Sequence, residues 1–213
     1  MTTKEFLVIE KRLLPWFPSF AAKGALMFIQ PIDETLRGFH WEPSGFSKKE
    51  FYVNVFFLPL YIPTKQLHFT FGHRVGSTKR WSADQSDLET ALSLEMQKEI
   101  SFLMALETAR DVAKALEPLT KPIQNGYVNP HCAEAFAYAL LRAGETTGAM
   151  GAIDRLLKKV NPAVAWENQI ASRARLIRDK LLRNPQEAQE QLAAWQAETI
   201  HDLGLETLSH RTG

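Results

Sequence analysis

The sequence predicts an α+β fold: an N-terminal helix, an antiparallel meander of about four strands, and an all-α C-terminal region of about five helices. Three properties of the sequence predict it, and each of them changes near residue 82. The apolar period changes there from two residues to between three and four. Sixteen of the 22 aromatic residues (13 Phe, 5 Trp, 4 Tyr) lie before that point. The charge balance also reverses, because residues 1–82 carry eleven Lys or Arg against six Asp or Glu, and residues 83–213 carry fourteen against eighteen.

The first segment predicts an amphipathic helix over residues 3–16. Its apolar positions recur at a spacing of three to four residues: Phe6, Ile9, Leu13 and Phe17. This spacing places them on one face of a helix. Pro15 and Pro18 end the pattern, since proline cannot continue a helix interior.

Four short runs then predict strands: 25–32, 36–42, 51–58 and 67–75. The last run alternates, with Leu67, Phe69, Phe71 and Val75 on one face and His68, Thr70 and Arg74 on the other. The connections between the runs are short, and parallel pairing needs a crossover of a dozen residues or more. We therefore expect an antiparallel meander.

Helical periodicity runs from Ser82 to Glu117. The pair Ser86 and Glu89 has the Ser-x-x-Glu spacing of a capping box, which predicts the start of the helix there. A straight helix of the roughly 30 residues from the capping box to Glu117 would be about 45 Å long. We therefore expect a break near its middle.

The rest of the chain predicts four helices, over residues 130–143, 146–160, 163–183 and 185–203. Asn-Pro pairs begin three of them, at Asn129, Asn161 and Asn184. Asparagine caps a helix N-terminus well, and proline is favoured at the first helical position. Gly144 and Gly204 stand where a glycine would end a helix.

For domain organisation, the sequence predicts a sheet region with its packing helix over residues 1–120 and a helical region over residues 121–213. These are either separate domains or parts of one integrated domain. The segment 120–128, which contains Pro122, Asn125 and Gly126, is the predicted linker.

Composition limits the class of protein. The net charge is +1, with 45% hydrophobic and 23% charged residues, which is ordinary globular usage. The apolar run from Val53 to Tyr61 is too short to cross a bilayer, so we expect no membrane partner. The single cysteine excludes an intrachain disulfide. With no secretory signal pattern at Met1, these features predict a cytoplasmic protein.

The predicted binding surface surrounds the fourth strand and the loop after it. It comprises six residues: His68, His73, Arg74, Lys79, Arg80 and Trp81. Arg80 beside Trp81 would offer a planar donor and an aromatic platform to a carboxylate, a phosphate or an acidic protein. No acid interrupts the sequence between Glu50 and Asp84. The alternative interpretation is a solvated sheet edge protected by cations.

Other chemistries find less support in the sequence. A pI of about 7.9 and the lack of any recognition motif argue against nucleic-acid binding. His40 and Glu42 share a strand face, but two ligands do not make a metal site. No phosphate-binding loop occurs, so no cofactor is predicted. Cys132 is expected to be a small buried residue, and the cations at 173–180 are expected to form a solvated helix face.

The N-terminal region resembles a known family. The residues that carry the likeness are Gly38-Phe39-His40-Trp41, Phe51-Tyr52-Val53-Asn54-Val55 and the run from His68 to Gly76, ending at Trp81. They resemble small bacterial domains of unknown function of the DUF4304 type, in which a strand arginine near a glycine precedes a tryptophan. Arg74, Gly76 and Trp81 match that pattern. Related α+β domains occur among bacterial immunity proteins, so the resemblance implies a stoichiometric binder.

Three functional hypotheses follow. The leading one is a non-catalytic protein-binding module, in particular an immunity-type inhibitor of a toxin. The alternative is a small-ligand-binding protein or enzyme with a pocket between sheet and helices, for which the polar candidates are His40, Asn54, His68 and Arg74. A third is a homo-oligomer formed through the helical region.

Overall fold

A computed structural model describes residues 1–123 and 126–206 of the chain. They form two compact units. The sheet unit comprises Met1–Leu58 and His68–Ala105, and the helical unit comprises Pro59–Leu67 and Leu106–Glu206. The α+β class is confirmed. Gln124 and Asn125 lie outside the described residues, so the predicted linker is described only in part. The C-terminal end of the predicted helical region, residues 207–213, also lies outside them.

The sheet unit contains two helices and six strands. The helices are α1 (Thr3–Leu13), which continues as a 3-10 turn over Leu14–Trp16, and α2 (Leu88–Met104). The strands are β1 (Phe20–Lys23), β2 (Leu26–Ile29), β3 (Thr35–Pro43), β4 (Glu50–Pro59), β5 (Gly72–Arg74) and β6 (Trp81–Ser82). The predicted N-terminal helix is confirmed, and its last turn tightens into a 3-10 turn that contains Pro15.

The sheet has the order β1-β2-β3-β4-β5, and β6 also pairs with β4. The pairs β1–β2, β2–β3, β4–β5 and β4–β6 are antiparallel. The prediction of about four strands was therefore too low. The four predicted runs correspond to β2–β5, whereas β1 and β6 have only four and two residues and leave almost no period-two signal.

The predicted strand over residues 67–75 was too long, because regular pairing is confined to Gly72–Arg74. Residues 67–70 form no strand. Phe69 instead lays its ring on His40, with centroids 4.0 Å apart and planes 20° apart. The alternation in this segment thus comes from loop aromatics that pack on the sheet.

One face of the sheet packs against α1 and α2. Alternate residues of the central strands point to this side and are buried together with the apolar faces of the two helices: Phe6, Leu13, Met27, Phe39, Trp41, Phe51, Val53, Val55, Leu92 and Met96. Because side chains alternate along a strand, the intervening residues point to the opposite face.

The helix boundaries test the predicted caps. No side chain caps α2, whose N-cap is Asp87, so the predicted capping box at Ser86 was wrong. The expected break in the long helical stretch is confirmed between α2 and α3 (Ala109–Leu116). There a capping box does form, between Thr108 and Asp111.

The helical unit continues after α3 with a 3-10 turn (Glu117–Thr120) and four helices: α4 (Pro130–Arg142), α5 (Thr146–Leu157), α6 (Ala165–Arg183) and α7 (Pro185–Asp202). The side chains of Asn129 and Asn184 cap α4 and α7 as predicted. Asn161 does not, because α6 begins later, with Val164 as its N-cap. Among the described helices, none is long and apolar enough to span a bilayer.

Candidate functional site

The most polar part of the sheet lies on the face opposite α1 and α2, along β4. Glu50, Tyr52 and Asn54 alternate with the buried Phe51, Val53 and Val55 and so share this outer face. Each of the three contacts a polar residue from another strand or from a loop beside the sheet: Arg80, Arg74 and Glu42. With Phe46, these seven residues are named the sheet-face surface.

Arg74 is the most available donor of this surface. It stands directly opposite Asn54 in the β4–β5 register. Its guanidinium carbon lies 3.7 Å from the centroid of the Tyr52 ring. The side chain is exposed and forms no ion pair with any acid in the described parts of the chain. Its planar donors are therefore oriented by the ring and free to bind a carboxylate or a phosphate.

Arg80 connects an acid to an exposed ring. Its Nη1 donates to Glu50 Oε2 at 3.1 Å, and its guanidinium carbon lies 5.1 Å from the centroid of Phe46. The ring of Phe46 is 81% exposed, more than any other large apolar residue recorded as exposed in the described regions. The β3–β4 connection thus presents an apolar side chain to solvent beside a cation.

Towards the other end of β4 this face becomes apolar. Asn54 Nδ2 donates to Glu42 Oε2 at 3.3 Å. Beyond this pair, Phe69 covers His40 and meets Phe56 edge-on at 5.1 Å. The Nδ1 atom of His40 is buried and has no hydrogen-bond partner among the residues described. Burial lowers the pKa of His40, against a smaller opposing effect of Glu42.

The structure separates the six residues that the sequence grouped together. Only Arg74 and Arg80 belong to the sheet-face surface. His73 points towards α2, where its Nε2 lies 3.1 Å from Glu99 Oε2. Lys79 also lies on the helix side, with Nζ 4.0 Å from the centroid of the Trp81 ring.

Trp81 itself is fully buried in the core and does not offer an exposed platform. His68 precedes β5 and packs edge-on against Phe71, with ring centroids 5.8 Å apart.

The hydrogen bond and charge of Lys98, assisted by the charge of Lys79, lower the pKa of Glu95 on α2. The helix-side cations therefore interact with acids, whereas Arg74 forms no ion pair in the described parts of the chain.

Sequence reasoning missed four members of the surface: Glu42, Phe46, Glu50 and Tyr52. Tyr52 and Glu50 could have been found, because they share the period-two phase of Asn54 on β4. Phe46 lies in a loop and carries no periodic signal. Its exposure depends on the hairpin that joins β3 to β4.

The two residues considered for a pocket, His40 and Asn54, also lie on the outer face. They point away from α1 and α2, so these helices do not enclose them. Within residues 1–123 and 126–206, no group of three or more His, Cys, Asp or Glu side chains is arranged to hold a metal ion.

In the helical unit the predicted solvated face was wrong for one arginine, Arg173, whereas the side chain of Arg178 is 38% exposed. Arg173 donates two hydrogen bonds to the buried Glu134, from Nε to Oε1 at 2.7 Å and from Nη2 to Oε2 at 2.8 Å. Arg178 pairs with Asp154 at 2.7 Å. Cys132 is buried as expected, and its burial raises the pKa of the thiol, which makes it a poor nucleophile.

Comparison of the chain with protein-family models, with curated proteins and with solved structures yields no match.

Proposed function

We propose that this protein is a protein-binding module that acts by docking alone, through the sheet-face surface. The partner that fits presents a carboxylate to Arg74 and an apolar recess to Phe46. The observation that carries the proposal is the state of Arg74, which is exposed, has its guanidinium carbon over the Tyr52 ring and forms no ion pair with an acid in the described chain.

The physical support from Arg74 is preorganisation. A guanidinium that already lies on a ring loses less rotational freedom when a carboxylate binds it. Arginine also binds a carboxylate through two parallel hydrogen bonds, which fixes the orientation of the partner. A flexible lysine would supply the charge without this geometry.

Phe46 supplies the apolar half of the proposed contact. Aromatic residues and arginine are enriched at the energetic centres of protein interfaces. An aromatic ring that is 81% exposed and lies against Arg80 has this composition. Glu50 engages Arg80, which leaves Arg74 to bind the partner's acid.

The specific form that we propose is stoichiometric inhibition of a toxin, as the N-terminal resemblance to immunity proteins implies. Such an inhibitor needs a rigid surface and no reacting group. Most residues of the sheet-face surface lie on strands, which hold side chains more firmly than loops do.

The test is affinity capture from the native host at low salt, followed by calorimetry with the captured protein. The variants are Arg74→Glu and Phe46→Ala. Their matched controls are Arg175→Glu, an exposed arginine of α6, and Leu182→Ala, a leucine of α6 that is 63% exposed.

We expect a stoichiometric partner that binds wild type and both controls alike. Each surface variant should weaken the affinity by about tenfold or more, as is usual when the central residue of an interface is lost. Arg74→Lys should recover only part of the affinity, because it restores charge without the planar donor. A partner that binds Arg74→Glu and Phe46→Ala as tightly as wild type, or no partner at all, overturns the proposal.

A further inference from the structure

A second candidate site lies wholly within the helical unit and is independent of the proposed function. A cavity of about 240 Å³ opens between α4 and α5, beside the segment that precedes α4. Its floor is apolar and includes Ala133, Phe136, Ala152 and Leu156. Ala133, Ala152 and Leu156 are themselves at most 9% exposed, so the cavity reaches the buried layer between the two helices.

The small side chains on α4 and α5 create this space. Ala133 and Ala152 both line the cavity where a larger residue would fill it. Two packed helices normally interdigitate large with small side chains and leave few voids. The sequence places alanine on both helices here, and the remaining volume suits a short apolar chain better than a drug-sized ring system.

The mouth of the cavity is strongly basic. Arg155, Lys158 and Lys159 line it together with the apolar residues. None of the three forms an ion pair with an acid anywhere in the described chain. Three cations around an apolar recess create a field that attracts an anion to the opening.

Lysines at the end of α5 also complement the negative end of the helix dipole. That role explains the position of the lysines after Leu156 and leaves the apolar floor of the cavity unexplained. An anionic amphiphile accounts for both features, because its chain would occupy the floor and its head group would meet the cations.

We propose that this cavity binds a small anionic amphiphile, which has a short apolar chain and a carboxylate or phosphate head. The chain would lie against Ala133, Ala152 and Leu156. The head group would lie at Lys158 and Lys159, with Arg155 free to add a planar, two-pronged contact.

The experiment titrates the full chain with octanoate and with octyl phosphate, by calorimetry and by backbone amide NMR. Acetate tests the head group alone, and 1-octanol tests the chain alone. The comparison of octanoate with octyl phosphate identifies the preferred head. Two kinds of variant separate the two halves of the site: Ala133→Phe fills the floor, and Lys158→Ala with Lys159→Ala removes charge at the mouth.

We expect one amphiphile to bind saturably, with amide shifts centred on Ala133 and Leu156, while acetate does not bind and 1-octanol binds more weakly. Ala133→Phe should abolish binding. The double lysine variant should weaken it by about tenfold, the usual scale for lost charge-assisted contacts, and should reduce its dependence on salt. The matched control, Arg175→Ala with Lys180→Ala, removes two cations from α6 and should bind as wild type does.

If circular dichroism shows that Ala133→Phe fails to fold, Ala152→Leu fills the same floor from α5 with a smaller change. Octanoate and octyl phosphate that fail to bind saturably overturn the proposal. Equal binding to wild type and a folded floor-filling variant also overturns it, as do amide shifts that centre elsewhere in the chain.

Discussion

The Arg173 guanidinium on α6 holds both carboxylate oxygens of Glu134 on α4. Nε lies 2.7 Å from Oε1, and Nη2 lies 2.8 Å from Oε2. The Glu134 side chain is 1% exposed and that of Arg173 is 22% exposed. Two residues that are 39 positions apart in sequence thus join two helices through a mostly buried, two-pronged ion pair. Burial, assisted by the same carboxylate, raises the pKa of Tyr138.

Removing one member of this pair should destabilise the helical unit strongly. In Glu134→Ala the guanidinium of Arg173 keeps its largely buried position and loses both acceptors. Breaking a buried pair from one side costs about 3 kcal/mol. We expect a loss of that size in the free energy of unfolding, measured by urea denaturation.

Asp154→Ala provides the comparison, because Arg178 and Asp154 form a pair of equal length with side chains that are 38% and 42% exposed. Exposed pairs contribute about 1 kcal/mol or less. Equal losses from Glu134→Ala and Asp154→Ala would show that burial does not strengthen the contribution of the first pair.

Because of the buried Glu10, we expect the free energy of unfolding to fall as the pH rises. Its side chain lies on the buried face of α1, and neither carboxyl oxygen has a hydrogen-bond partner among the described residues. Burial raises the pKa of Glu10 from its ordinary 4.5 to about 8. Between these two values the unfolded chain is ionised while the folded chain keeps the proton. Each pH unit in that window therefore lowers stability by up to about 1.4 kcal/mol, and the loss is complete above the folded pKa.

Glu10→Gln should remove this dependence, since the amide does not titrate. We expect wild type to lose about 3 kcal/mol relative to the variant between about pH 5 and about pH 8, measured by denaturation at each pH. Glu5→Gln is the control on the same helix. Hydrogen bonds from Thr2 lower the pKa of the exposed Glu5, so its own effect lies below pH 4.5. A wild-type curve parallel to that of Glu10→Gln would contradict the prediction.

Much of the fold could be predicted from periodicity and from capping residues. Helices α4 and α7 begin within a residue of their predicted starts, because Asn129 and Asn184 satisfy their first amide groups locally. Such signals act over a few residues and can be read from a single sequence. Strands β1 and β6 could not be found in this way, since β1 has four residues and β6 consists only of Trp81 and Ser82, which pair with β4.

The candidate site was only partly predictable, because its composition depends on which face each residue occupies. The sequence placed Arg74 and Arg80 together with His73 and Lys79, which are close in the chain. Both of the latter lie on the side of α2, His73 because strand alternation turns it away from the face of Arg74, and Lys79 because of the loop between β5 and β6. The loop between β3 and β4 brings Phe46 to Arg80. The packing of α6 against α4 brings Arg173 to Glu134. These contacts connect distant positions, for which a single sequence carries no local signal.

Two capping motifs should respond differently to the same substitution. At α3, Thr108 Oγ1 accepts from the amide of Asp111, whose carboxylate accepts from the amide of Thr108. Thr108→Ala should therefore cost about 1 kcal/mol in the free energy of unfolding. Ser86 has the same spacing to its acid, but its side chain caps nothing in α2. Ser86→Ala should change stability by less than about 0.5 kcal/mol. A cost at Ser86 similar to that at Thr108 would contradict this difference.

The β2–β3 pairing predicts that Gly38 tolerates no side chain. Gly38 is opposite Phe28 in the register, and a Cβ atom at this position would lie 2.6 Å from the Phe28 Cα and collide with the Met27 carbonyl oxygen. These are backbone atoms of a buried strand and cannot rotate away, so the strands would have to separate. We expect Gly38→Ala to lower the free energy of unfolding by at least about 3 kcal/mol.

Gly45 is the matched control, since a Cβ there would have no neighbour within 4 Å. Gly45→Ala should leave stability within about 0.5 kcal/mol of wild type. Thermal and urea denaturation of both variants measure the difference. If Gly38→Ala unfolds at the wild-type midpoint, the two strands do not pair as closely at Gly38 as the register requires. The outer face of the sheet, on which Arg74 and Phe46 are displayed, would then have a different shape.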